Sequence, residues 1–81
     1  MKITLERIQV IVAEHIYFDI SKILPDTKLE KDLDLDSLDI IEIIMAIEEE
    51  FKIRIDESDN NGKPLITIAD LVRLVEKTMG I

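Results

Sequence analysis

Apolar side chains recur at Ile8, Ile11, Val12 and Ile16, the i, i+3, i+4, i+8 spacing of one helical stripe. This predicts a first helix over about residues 4–15 or just beyond, with Thr4 as its N-cap and Glu6 well placed in its first turn. From Phe18 to Leu35 the period is lost. Pro25-Asp26-Thr27 signals a turn, and Ile23, Leu24, Leu29, Leu33 and Leu35 suggest a loop pinned to the core. A second helix is expected to open with Asp36 as N-cap and Asp39 completing a capping box, and to run through Phe51. A third major helix opens at Thr67, with Asp70 three residues on. Its stripe is Ile68, Leu71, Val72, Val75 and Met79, and Gly80 is its stop. Residues 52–66, with Asn60-Asn61-Gly62 and Pro64, read as turns, with room for a short helical turn near residues 56–58. No repeat or internal boundary interrupts residues 1–81, so the expected architecture is a single all-α domain, a small antiparallel-type bundle.

The second helix carries two apolar stripes. At about 100° per residue, Ile40, Ile43, Ile44, Ile47 and Phe51 share one arc, which must be buried. Leu38, Ile41 and Met45 fall roughly 100–160° from its centre, among Glu42, Glu48 and Glu49 and just downstream of Asp36. Periodicity leaves two readings open. The helix is buried on a wide face, or the second stripe is a docking surface whose apolar anchors carry the energy and whose acids steer a basic partner.

Charge bears on that choice. The chain has 18 acids and 10 Lys or Arg, a net charge of −8 over 81 residues. Residues 30–59 alone hold twelve acids against three bases, a local charge of −9, on a nearly neutral remainder. So acidic a chain is a poor nucleic-acid binder, since phosphate contacts need clustered Lys and Arg. There is no cysteine, which excludes a disulfide, a thiolate metal site and a cysteine nucleophile. The longest apolar run, residues 43–47, is far short of the roughly 20 residues of a membrane span, and charge appears too early for a signal peptide. A cytoplasmic monomer is expected.

Ser37 follows Asp36 and opens the second helix, off the buried arc. Unpaired N–H groups and the macrodipole at a helix start favour an anionic adduct such as a phosphate ester, although many serines there are merely structural. Ser37 does not read as a catalytic nucleophile. The only histidine, His15, belongs to the end of another helix, as a C-terminal cap or a surface residue, and the flanking carboxylates oppose an alkoxide. An EF-hand loop beginning at Asp32 would need Gly at its sixth position and Glu at its twelfth, where Ser37 and Ile43 stand. No metal site is predicted, beyond loose divalent binding by the carboxylates.

The segment Asp32-Leu33-Asp34-Leu35-Asp36-Ser37-Leu38-Asp39, continuing to Met45-Ala46-Ile47-Glu48-Glu49-Glu50-Phe51, resembles the acyl carrier proteins of fatty-acid synthesis. The likeness extends over essentially the whole chain. It implies a four-helix bundle with a long first loop and a short third helix, and no enzymatic activity. It also implies a 4′-phosphopantetheine arm joined covalently to Ser37, delivered from coenzyme A by a phosphopantetheinyl transferase (the holo-carrier synthase) that uses magnesium. The arm's thiol would hold growing acyl chains as thioesters, which the bundle can shelter. Basic docking patches on fatty-acid synthesis enzymes would meet Asp36, Leu38, Asp39, Ile41, Glu42, Met45, Glu48 and Glu49, and the docking reading of the second stripe is thereby favoured. Two departures stand out: Asp34 occupies the position of a glycine, and residues 56–65 run slightly longer than is usual. The alternatives are a specialised carrier for polyketide, peptide or D-alanyl transfer, and an acidic helical interaction module that is never modified.

Overall fold

The structure, a computed structural model, describes residues 2–56 and 63–80. Three α-helices form among them: α1 (Lys2–Ile16), α2 (Ser37–Phe51) and α3 (Ile68–Met79), with one 3-10 turn, Ile20–Lys22, inside the long first connection. The described residues are thus all-α, but the expected four-helix bundle is not what is found. The short third helix is missing from the described parts of the connection between α2 and α3, and the additional turn lies before α2. The helical turn expected near residues 56–58 falls largely outside the described residues; Asp56 itself is not helical.

The chain after α2 has a reason not to coil. Lys52 takes the left-handed conformation (φ 58°, ψ 46°) and its amide donates to the Glu48 carbonyl, which ends the helix. The Glu48 carboxylate then accepts the Ile55 amide at 2.8 Å, and Ile53 and Ile55 pack against the core from alternate positions. That amide is therefore already committed to a side chain.

α1 also starts earlier than expected, at Lys2, so Thr4 is not its N-cap and Glu6 lies beyond its first turn. Thr4 is buried, and with Ile8 and Val12 it makes a line at i, i+4, i+8 facing the core. The hydroxyl disguised an inward position as a cap. Both acidic capping boxes form as read: Asp36 with Asp39 on α2, and Thr67 with Asp70 on α3.

Ile8 and Val12 of α1, Ile43 and Ile47 of α2, and Ile68, Leu71 and Val75 of α3 meet in one core. Ile23, Leu29, Leu33 and Leu35 of the long loop join it, as the sequence indicated. Leu24 does not; it is 51% exposed. The Thr27 hydroxyl accepts the Leu24 amide and the Leu24 carbonyl accepts the Thr27 amide, a turn that gives the inward positions to Ile23 and Thr27. The loop is held as firmly as an element. Leu29 N–H donates to the Ile66 carbonyl, Ile68 N–H to that of Thr27, and Ala69 N–H to that of Pro25, at 2.8, 3.1 and 2.8 Å. Gln9 Nε2 ties α1 to the same loop through the Ile23 carbonyl. Asp34 turns the chain into α2 at φ 56°, a conformation that costs most side chains about 1–2 kcal/mol and aspartate less. Among the described residues no helix is long and apolar enough to cross a membrane.

Candidate functional site: the opening of the second helix

The long loop delivers the chain to α2 with Leu33 and Leu35 buried and Asp36 at the N-cap, in extended conformation. Asp36 Oδ1 accepts the Asp39 amide at 2.8 Å, and Asp39 Oδ2 accepts the Asp36 amide at 3.1 Å. This reciprocal pair fixes the first turn, and Ser37 is its first residue, exposed to solvent. The Asp39 carboxyl is held below the usual carboxylate range, chiefly by the Asp36 backbone N–H, with His15 adding to the effect. The helix opening is thus rigid in backbone and accessible at the serine.

The second stripe is exposed. Leu38, Ile41 and Met45 are 61, 49 and 60% accessible, while Ile43, Ile44 and Ile47 on the opposite side are buried. Ile40 and Phe51, expected on the same buried arc but placed towards the two ends of α2, are only partly covered. Large apolar side chains aligned in the open along one helix are what a docking surface offers, and a wide buried face is excluded.

The acids expected to frame this stripe divide into groups. Asp36, Glu42 and Glu49 are exposed. Asp39 and Glu48 are partly covered, and both carboxylates accept backbone amides, so each also holds the fold. By helical angle Glu48 lies on one rim of the stripe and Glu42 and Glu49 on the other. Glu49 borders a groove of about 670 Å³ between α1 and α2, together with Ile11, Glu14, His15 and Ala46.

His15 is where sequence reasoning fell short. It belongs to the last turn of α1, yet its Nε2 stands 3.7 Å from Asp39 Oδ1 and 3.5 Å from Glu42 Oε1, across the helix–helix contact. Nothing in spacing signals a meeting of residues 24 and 27 positions apart in the chain. On the helical wheel Asp39 and Glu42 lie well round from Ser37, so the imidazole serves the other flank of α2 and is no base for the serine.

The family model described as "Phosphopantetheine attachment site" matches residues 6–75. Two proteins named "Acyl carrier protein", from different strains of Helicobacter pylori, are similar to the chain at 38% and 37% identity over 71 residues. In each case the match covers 88% of this chain and 88% of the relative.

Proposed function

The chain belongs to the acyl carrier protein family, and we propose that it carries growing fatty acyl chains as thioesters on a 4′-phosphopantetheine arm attached to Ser37. Carriers of this family perform no catalysis of their own. The observation that supports the assignment to Ser37 is its place: exposed, first in α2, and next to the exposed stripe of Leu38, Ile41 and Met45.

The site suits the group. A phosphodiester on Ser37 would stand at the positive end of the α2 dipole, which favours an anion there. The capping box keeps Asp36 and Asp39 engaged with backbone amides, so the helix opening stays intact when its neighbour is esterified. The arm, when bound, supplies a thiol that holds and releases acyl groups. This chain's residues do the rest: α2 presents the attachment point, and Leu38, Ile41 and Met45 give a partner its apolar footing. Asp36, Glu42 and Glu49, with the partly engaged Asp39 and Glu48, draw a basic surface towards it. His15 faces Asp39 and Glu42, so it is not placed to take the Ser37 proton during attachment.

Loading the modified protein tests the pathway. Fatty-acid synthesis enzymes should place acyl groups on the thiol, released by hydroxylamine as thioesters are. Loading only by an amino-acid-activating or polyketide enzyme would assign the chain to a specialised carrier instead.

A further inference from the structure

We propose that His15, Asp39 and Glu42 form a binding site for one divalent metal ion of the zinc type, joining the end of α1 to the first half of α2. The three side chains offer one nitrogen and two oxygens, all within 4.8 Å of one another. They come from two helices, so packing of the helices builds the site.

The distances leave room for an ion between the three side chains. His15 Nε2 is 3.5 Å from Glu42 Oε1 and 3.7 Å from Asp39 Oδ1, too long for good N–H···O bonds, which run at about 2.7–3.2 Å. Ligand atoms about 2.0–2.1 Å from a tetrahedral ion stand about 3.4 Å apart, close to the two separations measured from His15 Nε2. A water molecule would complete the fourth position.

Orientation is already provided on the α2 side. Asp39 Oδ2 accepts the Asp36 amide, so its Oδ1, the atom that faces His15, is aimed by the capping box in the way an outer hydrogen bond aims a metal ligand. Asp39 and Glu42 are separated by three residues and share one side of the helix. His15 is the most covered of the three, with 24% of its side chain accessible, against 36% for Asp39 and 52% for Glu42. The adjoining groove, bordered by His15 with Glu14 and Glu49, gives a cation a negatively charged route in.

The imidazole sets the selectivity. Carboxylates alone take Mg²⁺ or Ca²⁺, whereas a nitrogen donor among them suits zinc and its neighbours. This separates the site from loose divalent binding elsewhere on the acidic face. A filled site would also neutralise Asp39 and Glu42, two carboxylates assigned to docking, and so weaken partner encounter. That consequence rests on the docking reading; the site itself does not.

The test is a titration of the full chain and of His15→Gln with Zn²⁺ and, separately, Mg²⁺ at about pH 7.5, read by melting temperature and by NMR of the imidazole. One equivalent of Zn²⁺ should shift the His15 ring resonances and raise the melting temperature of the wild type. In His15→Gln the Zn²⁺ affinity should fall by about tenfold or more, while Mg²⁺ acts alike on both proteins. Equal Zn²⁺ stabilisation of the two proteins, or a ring signal unmoved while Zn²⁺ binds, would overturn the site and leave His15 as a side chain merely packed beside two carboxylates. The wild-type ring signal decides the matter even if the variant folds poorly. None of these readings depends on acyl transfer, so loss of the carrier assignment would leave them standing.

Discussion

Single residues carry the most legible parts of this molecule. Asp36 with Asp39, and Thr67 with Asp70, were readable as capping boxes because the pattern is local: a side chain, an amide three residues on, and a carboxylate returning. Thr4 misled because a threonine before an apolar stripe looks like a cap whether its hydroxyl ends a helix or its methyl joins the core. His15 and Glu48 were unreadable in their actual roles, since their partners are set by tertiary contact. The Asp70 carboxyl supplies a prediction at this scale. Partial burial acts to raise it, but the backbone N–H groups of Thr67 and Ile66, with the Arg73 guanidinium, outweigh burial and hold it below the usual range. A carboxyl lowered on folding stabilises the native state above its unfolded value, about 3.9, and this is lost as pH falls through the folded value. The stability gap between wild type and Asp70→Asn, measured by urea denaturation, should therefore be widest above about pH 5 and close below about pH 4. A gap unchanged across that range would mean that the carboxylate's charge contributes nothing.

At the scale of elements, α2 divides its circumference between a covered and an open apolar stripe. Ile43, Ile44 and Ile47 are buried, and Leu38, Ile41 and Met45 lie open. The sequence showed both stripes, because helical angle is a property of spacing alone. It could not show that the second stripe is uncovered, which depends on where the long loop lies. That loop packs against the start of α3 through the 25–29 and 66–69 backbone pairs, leaving the Met45 side of α2 free. Among the described residues the four-helix expectation is not met at the other connection, where Lys52 ends α2 and the Glu48 carboxylate holds the Ile55 amide. Met45→Glu should cut the rate of modification by the transferase about tenfold, the cost of one anchor residue, and leave the melting temperature nearly unchanged. An unchanged rate would remove Met45 from the docking surface, and a collapsed melting temperature would place it in the core.

Seen whole, the molecule measures 29 × 24 × 20 Å and carries a net charge of −8, concentrated in residues 30–59. Its charges therefore lie within two or three screening lengths of one another, about 10 Å each at 0.1 M salt. Two acids are individually answered by arginines: Glu50 by Arg7, which also covers Phe51 with its guanidinium 4.7 Å from the ring centroid, and Asp70 by Arg73. The exposed acids of α2 that would meet a partner add to the excess. Raising salt from about 20 mM to about 0.5 M should relieve roughly 1 kcal/mol of self-repulsion and raise the melting temperature by about 4–8 °C. A melting temperature indifferent to salt would show the acids to be better compensated than their placement implies. The same exposed surface frames the central claim, that Ser37 is the point of attachment. The most direct measurement is tandem mass spectrometry of the chain after reaction with coenzyme A and a phosphopantetheinyl transferase. One 4′-phosphopantetheinyl group should be found, located on Ser37, with none on Ser37→Ala; an unmodified wild-type chain, or the group on any other residue, would contradict the account.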